Sequence, residues 1–286
     1  MNWLKVDDIR QSKYMSLIEN LVRPQETSCI DAVSVLSGTW KSSEPIIIHT
    51  DGNTADAALF LTSYGRVIPV LDSSFLFHQE DVNHISRLAG NAVFLPTSVS
   101  GRSAAADMFL ERFSCGQRQQ IVEHYIMELE PDNFKMPLIP DYLKIRILRG
   151  SRQQLLSLFP LQKKYERQEV LLNPDSQDIL ETFRWLNSIL TREICFYAKR
   201  GFRYVSKANT NARGFGHIQI GGVFTVDRFR GQGYALHTVA ALCRHIIEEE
   251  HKIPSLFVRC DNENAIKLYK KLGFEITDTT KTVYLN

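Results

Sequence analysis

The chain has 286 residues, of which 44% are hydrophobic and 23% charged, with 15 glycines and 10 prolines. This composition excludes collagen-like, low-complexity and intrinsically disordered classes, and the length predicts about two domains. The 34 basic and 32 acidic residues leave a formal charge of +2, which argues against a dedicated nucleic-acid binder because such proteins carry a broad basic surface.

Cysteine usage and the apolar segments point to a cytoplasmic protein. The five cysteines are widely spaced and form no C-x-x-C pair, so they predict free thiols in a reducing compartment rather than a zinc or redox site. The N-terminus carries Asp7 and Asp8 where a signal peptide has a basic start and an apolar run. The apolar stretches are far shorter than the roughly 18 residues that cross a bilayer. We therefore expect no membrane segment.

The first half predicts helices and short strands without repeats. In chain order they are a helix over residues 6–22, strands at 45–49, 57–62 and 67–71, a helix at 80–88, a strand at 92–95, a helix at 103–113 and a strand at 121–129. Prolines at positions 131, 137 and 140 then interrupt both helix and strand patterns. We place a domain boundary there, which gives a first domain of residues 1–140 and a second of 141–286.

The second half predicts one strand, two helices, three strands, a helix, a strand, a helix and two strands. In chain order they cover residues 143–148, 152–171 with an interruption at Pro160, 177–193, 194–198, 204–208, 217–226, 233–250, 256–260, 264–272, 274–277 and 282–285. Residues 209–216 are predicted as a hairpin connection. The alternation of strands and helices favours a layered fold that contains a sheet.

The segment between the strand at 217–226 and the helix at 233–250 is suited to hold a pyrophosphate. A helix N-terminus exposes unpaired N–H groups, and glycines let a phosphate approach the backbone closely. A P-loop pattern is absent, and a dinucleotide fingerprint needs a third glycine where this chain has Leu236, which argues against a nucleotide-binding oxidoreductase. The segment fits the pattern R-x-x-G-x-[GA], which is filled by Arg228, Gly231 and Gly233.

With this signature the sequence resembles the GNAT superfamily of N-acetyltransferases. A second block over residues 262–274 matches N-x-x-A-x-x-L-Y-x-x-x-G-F at the expected distance. The resemblance covers residues 143–286, about half of the chain. It implies an α+β fold with a central mixed β-sheet flanked by helices. It also implies an acetyltransferase that uses acetyl-CoA, an amine acceptor and no metal.

The resemblance assigns cofactor contacts to particular residues. The pyrophosphate of acetyl-CoA is expected on the backbone amides of Phe229, Arg230, Gly231, Gln232, Gly233 and Tyr234. The β run of Phe224, Thr225 and Val226 is expected to hydrogen-bond the pantetheine amides as an added strand, with an oxyanion-stabilising N–H at Thr225 or Val226. Asn262 matches the position that contacts the pantetheine arm, and Tyr269 matches the tyrosine proposed to protonate the CoA thiolate.

Each of these residues also has a structural interpretation. The two glycines of the signature could close a tight turn, Asn262 could be a helix N-cap, and Tyr269 could be a core tyrosine. Gly273 and Phe274 are most simply a helix C-cap followed by an apolar anchor. The cofactor interpretation of the turn is favoured because Arg228 and the second block accompany it.

The resemblance does not fix the base that deprotonates the amine. Glu166 and Glu169 lie near the end of the predicted helix 152–171, which borders the acceptor site in similar folds, and either could act through a water. A solvated helical face is the alternative for both. His217 and His237 are further candidates, although a lone histidine is usually structural. Glu169 ranks first, and Tyr269 is the first choice for the acid.

The first half lacks the signature at the comparable place, residues 70–75, but its order of elements resembles the later part of the same fold. We therefore expect two tandem units, the first a degenerate copy, and the run 119–129 could pair with the second sheet.

The leading hypothesis is a cytoplasmic enzyme that acetylates a primary amine. The alternative is a catalytically silent acyl-CoA-binding or scaffolding protein. The acceptor is not identified, and a homodimer is left open.

Overall fold

The computed structural model describes residues 2–9, 12–36, 45–62, 65–90, 96–113, 118–171 and 173–285. The first half contains β1 (Asn2–Val6), α1 (Met15–Val22), α2 (Ile30–Leu36), β2 (Ile46–Thr50), β3 (Ala55–Leu61), β4 (Arg66–Leu71), α3 (Gln79–Leu88), β5 (Ser98–Arg102), α4 (Ser103–Phe113) and β6 (Arg118–Glu128). The second half contains β7 (Ile145–Arg149), α5 (Leu155–Tyr165), α6 (Ile179–Arg192), β8 (Cys195–Arg200), β9 (Arg203–Arg213), β10 (His217–Thr225), α7 (Tyr234–Glu248), β11 (Ile253–Arg259), α8 (Glu263–Leu272) and β12 (Glu275–Leu285).

The two halves repeat one order of α-helices and strands within the described ranges. Each runs strand, two helices, three strands, helix, strand, helix, strand. All twelve strands join one mixed sheet in the order β1-β2-β3-β4-β5-β12-β6-β11-β10-β9-β8-β7. The last strand of each half therefore lies beside the other half, since β12 pairs with β5 and β6 pairs with β11. The α+β fold of two units and the pairing of residues 119–129 with the second sheet are confirmed, whereas the division at residue 140 stays a prediction.

Alternation along the strands gives each half two hydrophobic layers. In β2, Ile47 packs with the residues of α3 and α4, whereas Ile46 and Ile48 pack with those of α1 and α2. In the second half, α7 and α8 cover one face of the sheet, and α5 and α6 cover the other. This division follows from the period of two along a strand, because successive side chains point to opposite faces. No helix among the described residues is long and apolar enough to cross a membrane.

The ends of α8 are fixed by an N-cap side chain and by a glycine at the C-cap. The Asn262 side-chain oxygen accepts the amide of Ala265 at 3.1 Å, so Asn262 is the N-cap. At the other end Gly273 has a φ of 104°, and a Cβ there would lie 2.0 Å from the carbonyl oxygen of Asn133. Both features favour glycine. The helix C-cap at Gly273 and the buried anchor Phe274 are confirmed, while a pantetheine contact by Asn262 stays a prediction.

The predicted helix over residues 6–22 is wrong in its first part. Residues 2–6 form β1, which pairs antiparallel with β2, and α1 begins only at Met15. The sequence also gave no signal for α2. The predicted helix 152–171 is not interrupted at Pro160, which lies inside α5. A wider π-type turn at Glu166–Val170 follows α5 instead.

Two other boundaries differ from the prediction for tertiary reasons. Residues 209–213 continue β9 instead of forming a turn, because Asn209 and Asn211 pack against glycines of β10. The predicted strands at 274–277 and 282–285 form the single strand β12, which pairs with β6 along most of its length. The predicted strand at 92–95 lies outside the described residues.

Candidate active site

The turn between β10 and α7 contains the predicted phosphate-binding signature. After a short 3-10 turn at Asp227–Phe229, Gly231 and Gly233 adopt φ angles of 73° and 87°. A side chain at either position is strained, since left-handed backbone costs other residues about 1–2 kcal/mol. A Cβ on Gly231 would meet no atom within 4 Å, so the space above it is open. The turn therefore presents bare backbone at the surface.

The first turn of α7 begins with unpaired backbone donors. Gly233 is the N-cap and supplies no side chain, and the amide of His237 donates to the Gly233 carbonyl at 3.2 Å. The amides of residues 234–236 precede this first helical hydrogen bond. The first turn of α7 also carries no acidic residue, so the partial positive charge of the helix N-terminus is not neutralised. Such a helix start attracts phosphate.

Aromatic side chains support this turn from the protein interior. Phe229 and Tyr234 are buried, and their ring centroids lie 5.7 Å apart in an edge-to-face contact. The exposed guanidinium of Arg228 lies 5.0 Å from the Phe229 ring centroid, and Gln232 Nε2 donates to the Arg228 carbonyl at 3.1 Å. The Tyr234 hydroxyl and His237 Nδ1 are buried without a hydrogen-bond partner among the described residues. Tyr234 can thus offer a ligand only its amide. The amides of Phe229 and Arg230 already donate to the carbonyls of Val226 at 2.8 Å and Asp227 at 3.0 Å, so the expected pyrophosphate contacts of these two amides do not fit the structure.

Arg230 ties the end of β10 to the turn that follows α5. Its Nε donates to the carbonyl of Thr225 at 3.1 Å, and its Nη2 donates to Gln168 Oε1 at 2.6 Å. The amide of Val226 donates to the Val205 carbonyl at 3.0 Å, so this amide is already paired and the prediction that it stabilises an oxyanion is wrong. Alternation along an antiparallel pair directs the Thr225 amide the other way, away from β9.

A bulge interrupts β10 shortly before its end. Residues 222 and 223 of β10 lie opposite a single residue of β9, and the buried Phe224 resumes the pairing. A Cβ on Gly221 would lie 2.0 Å from Asn211 Nδ2, and one on Gly222 would lie 2.0 Å from Asn209 Oδ1. Gly222 also has a φ of 57°. The two glycines are therefore required by the side chains of β9.

The sheet opens beside this bulge. The parallel pairing of β10 with β11 covers only residues 217–220 of β10 and 253–256 of β11. In the described structure, the rest of β10 pairs with β9 on one side and has no strand partner on the other. This open edge runs directly into the uncapped start of α7. An extended ligand can therefore pair with β10 and place a phosphate at α7.

A buried lysine lies beneath the bulge. Lys207 is fully buried, and its Nζ donates to Asn209 Oδ1 and to the Gly222 carbonyl, both at 2.9 Å. Its Nζ also lies 4.9 Å from the centroid of the Tyr165 ring. Burial lowers the pKa of Lys207 to about 8, although the charge of Glu166 acts in the opposite direction. The lysine thus contacts the bulge directly.

Tyr269, the predicted general acid, lies on α8, close enough to Tyr165 for the charge of one hydroxyl to affect the pKa of the other. Its side chain is only 7% exposed, and its ring lies 5.7 Å from that of Phe274. Burial raises the pKa of Tyr269, and the charges of Tyr165 and Glu169 act in the same direction. Burial likewise raises the pKa of Tyr165 to about 12, although the nearby Gly222 backbone acts in the opposite direction. Both hydroxyls therefore stay protonated at neutral pH.

The two glutamates considered as bases have different surroundings. Glu169 is exposed in the turn after α5, and its charge contributes to the raised pKa of both tyrosines, so it lies near them. Glu166 accepts hydrogen bonds from Gln162 Nε2 at 2.8 Å and from Thr182 Oγ1. These bonds occupy both carboxylate oxygens of Glu166. Of the two, Glu169 is the one left accessible beside the tyrosines.

The two histidines are poorly placed for the base. His217 begins β10, roughly 17 Å along the strand from Gly222 at about 3.3 Å per residue. It is also bound to Glu26 at 2.7 Å, so the structure favours the structural interpretation of His217 over its candidacy as the base. His237 is buried in α7, and burial lowers its pKa.

The corresponding turn of the first half lacks the phosphate-binding geometry. Residues 72–78, between β4 and α3, contain no glycine. Asp81 in the first turn of α3 accepts the amide of His78 at 2.6 Å, and Glu80 adds a second acidic side chain there. Acidic side chains neutralise a helix N-terminus and repel phosphate. This confirms that the first half has no glycine turn at this place.

Comparisons with known proteins agree with this geometry. Residues 208–284 match the family model described as FR47-like protein. The comparison with curated proteins gives no match. Among solved structures, the chain is similar to a GCN5-related N-acetyltransferase from Sphaerobacter thermophilus, with a TM-score of 0.66, 13% identity, and coverage of 98% of this chain and 94% of that one.

Two further structures span both halves of the chain. A tandem GNAT protein from the clavulanic acid biosynthesis pathway has a TM-score of 0.63 at 11% identity, covering 99% of this chain and 98% of that one. A GNAT-family acetyltransferase from Colwellia psychrerythraea has a TM-score of 0.60 at 10% identity and covers all of both chains. The chain therefore has the GNAT fold in two tandem units. The predicted resemblance to the GNAT superfamily is confirmed, and the second unit carries the FR47-like segment.

Sequence reasoning missed the polar group beneath the bulge. Lys207, Asn209 and Tyr165 were not predicted to lie near the site. The adjacent glycines 221 and 222 inside a β-rich run were the available signal, because glycine within a strand commonly marks a bulge. Across the described part of the chain, no group of three or more His, Cys, Asp or Glu side chains is arranged to hold a metal ion.

Proposed function

We propose that the protein is an acyltransferase that transfers the acetyl group of acetyl-CoA to an amine. The observation that carries this proposal is the bare, glycine-lined start of α7 at the end of the open edge of β10. The GNAT fold and the FR47-like match of residues 208–284 support it. The buried thiols of Cys195 and Cys243 suit a reducing, cytoplasmic compartment.

The residues of the turn fit the pyrophosphate of acetyl-CoA. The amides of residues 231–236 supply donors, and the open space above Gly231 admits the phosphates. The exposed Arg228 adds a positive charge nearby. The amide of Thr225 faces the open edge of β10 and can pair with a pantetheine amide, whereas the Thr225 carbonyl becomes available only when Arg230 releases it.

The chemistry follows from the groups beside the bulge. The amine nitrogen attacks the thioester carbonyl carbon, and the carbon–sulfur bond breaks. Tyr269, whose raised pKa keeps it protonated, gives its proton to the departing thiolate. Glu169 takes the amine proton through a water, since its side chain is exposed beside the tyrosine pair. The backbone amides at the open edge stabilise the oxyanion.

Calorimetric titration with acetyl-CoA tests this proposal. In Gly231→Glu and Gly233→Glu variants, the new carboxylate occupies the place proposed for the phosphates. We expect affinity to fall at least about 100-fold, or about 2.8 kcal/mol. Gly90→Glu is the matched control, because Gly90 has a φ of 83° and open space around it but lies in the first half. It carries the same backbone strain and should bind acetyl-CoA normally.

The outcomes separate the hypotheses. Absence of acetyl-CoA binding to the wild-type protein, or equal binding by the Gly231 variant, contradicts the proposed site. Where acetyl-CoA binds, release of free CoA is measured with a panel of primary amines, including amino acids, aminoglycosides and peptides. Binding without turnover across the panel would favour the silent acyl-CoA-binding or scaffolding alternative.

A further inference from the structure

The buried ammonium of Lys207 is unusual because its acceptors are uncharged. Within the described residues its Nζ donates to Asn209 Oδ1 and to the Gly222 carbonyl, and it forms no ion pair within 4.0 Å. Burial of a charge without a directly paired counter-charge destabilises a fold, and an apolar side chain of similar volume is often more stable at such a place. Stability therefore does not explain why a lysine lies under the bulge.

The two hydrogen bonds of the bulge fix the orientation of one peptide group. The carbonyl of Gly222 points to Lys207, and no peptide bond in the described structure is cis. In a trans peptide the N–H points opposite to the C=O, so the amide of Val223 points away from Lys207. The Thr225 amide also points away from β9, because the Val226 amide is bonded to β9. The Val223 amide thus points to the side of the sheet opposite Lys207, and the Thr225 amide faces the open edge of β10.

We propose that Lys207 is a positioning residue for the acyl transfer. It holds the Gly222–Val223 peptide so that the Val223 amide faces the thioester carbonyl oxygen. Its charge, acting on the carbonyl end of that peptide, strengthens the amide as a donor. Negative charge that develops on the oxygen as the amine attacks is then stabilised by this amide. This inference rests on the proposed acetyl-CoA site.

The surroundings of Lys207 agree with this role. The Tyr165 ring lies against the ammonium of Lys207, with its centroid 4.9 Å from Nζ, so the lysine is held between this ring and the bulge. Asn209 occupies the space that a side chain on residue 222 would need, which keeps the bulge free of a Cβ. All of these groups lie on the face covered by α5, whereas α7 lies on the opposite face with Ala208. The acyl group and the lysine are therefore separated by the bulge peptide.

The decisive variant is Lys207→Met, which removes the charge but keeps an unbranched side chain of similar volume. We expect it to fold and to bind acetyl-CoA with an affinity within about 2-fold of the wild type. Its kcat should fall about 100-fold with KM for acetyl-CoA unchanged, as expected for loss of support to one oxyanion donor. Lys207→Gln, which keeps a hydrogen-bond donor, should recover part of this loss.

Lys252→Met is the matched control. Lys252 also donates to a backbone carbonyl, that of Phe215, but at the other end of β10. This variant should keep the wild-type kcat. The two variants make the same lysine-to-methionine change, but only Lys207 contacts the bulge. Comparing their kcat values therefore separates a general effect of removing a lysine from the proposed effect on the bulge peptide.

A spectroscopic measurement tests the inference without any acceptor. Isotope-edited infrared spectra of bound [1-13C]acetyl-CoA report hydrogen bonding to the thioester carbonyl. The wild-type protein should shift this band to lower frequency on binding, and Lys207→Met should remove most of the shift. Lys207→Gln should give a shift between those of the wild type and Lys207→Met, and its reduction relative to the wild type carries the test if Lys207→Met does not fold. An unchanged band and unchanged kcat in an active protein overturn the role of Lys207 alone. Failure of the wild-type protein to bind acetyl-CoA overturns the proposed function, and this inference with it.

Discussion

A charged cluster joins the two halves of the chain and makes a quantitative prediction about stability. His217 at the start of β10 lies 2.7 Å from a carboxylate oxygen of Glu26 and 3.6 Å from one of Glu128. Glu26 belongs to the segment between α1 and α2, is only 5% exposed, and also accepts the amides of Gly216 and His217 at 2.9 and 2.8 Å. Replacement of His217 by glutamine leaves two carboxylates in this interface without their cation.

The size of the effect follows from the pKa of His217. Burial alone lowers this pKa, but the hydrogen bonds to Glu128 and Glu26 raise it from 6.5 to about 9. The difference between those two pKa values, 2.5, corresponds to roughly 3–4 kcal/mol at about 1.4 kcal/mol for each tenfold change in proton affinity. Because the folded pKa is raised, this stabilisation is fully present below pH 6.5 and is lost as the pH rises through 9.

The two carboxylates set the acidic limit. The hydrogen bond from His217 lowers the pKa of Glu128, and His217 and the Gly216 amide lower that of Glu26 against the opposing effect of burial. Their contribution is present above the ordinary carboxyl pKa of 4.5 and is lost as the pH falls below it. The cluster therefore stabilises the fold most between about pH 5 and pH 6.5.

Urea unfolding of the wild-type protein and His217→Gln, followed by circular dichroism from pH 6 to pH 10, measures this contribution. At pH 6 we expect the variant to be less stable by about 3–5 kcal/mol, as for removal of one partner of a buried pair. At pH 10 the difference should shrink by roughly 3–4 kcal/mol. His245→Gln is the control, because burial lowers the pKa of His245 and its effect has the opposite sign. A difference between wild type and His217→Gln that does not vary with pH refutes the reasoning.

Two further predictions concern the proposed site. Tyr269→Phe should lower kcat by about 10²- to 10⁴-fold without changing acetyl-CoA affinity, since it removes only the proton donor. Steady-state kinetics measure kcat and calorimetry measures the affinity, with Tyr142→Phe, at a position 75% exposed, as the control. An unchanged kcat contradicts the role of Tyr269 as the acid. Calorimetry should also give one acetyl-CoA per chain, because α3 begins with Glu80 and Asp81 whereas the first turn of α7 has no acidic residue. A stoichiometry of two would contradict this.

Local patterns in the sequence predicted the parts of the site that are local in the chain. The glycines at 231 and 233 each need a positive φ, and the helix after them has a clear amphipathic pattern, so the turn and α7 were predicted together. The N-cap at Asn262 and the C-cap at Gly273 are also signals within a few residues. Each of these features depends on backbone geometry that neighbouring residues determine.

The remaining features depend on contacts between distant residues. His217 was considered as a base because its partner Glu26 lies 191 positions away and no local pattern connects them. Asn209 and Asn211 were assigned to a turn from their composition, although they lie in β9 and fill the space beside the glycines of β10. Lys207 was overlooked for the same reason, since its contact with the Gly222 carbonyl forms only when β9 and β10 pair.

Because the two halves exchange their last strands, the first half can support the structure of a site that lies in the second half. Strand β6 of the first half lies between β11 and β12, so it pairs with the strand whose separation from β10 opens the sheet. If β6 were absent, residues 255–259 of β11 would become an unpaired edge, and the cleft would lose the strand that holds one of its sides in place. The Glu26–His217 contact fixes the other side, because it anchors the first residue of β10. A first half without a glycine turn can therefore act as a supporting wall for the cleft between β10 and β11.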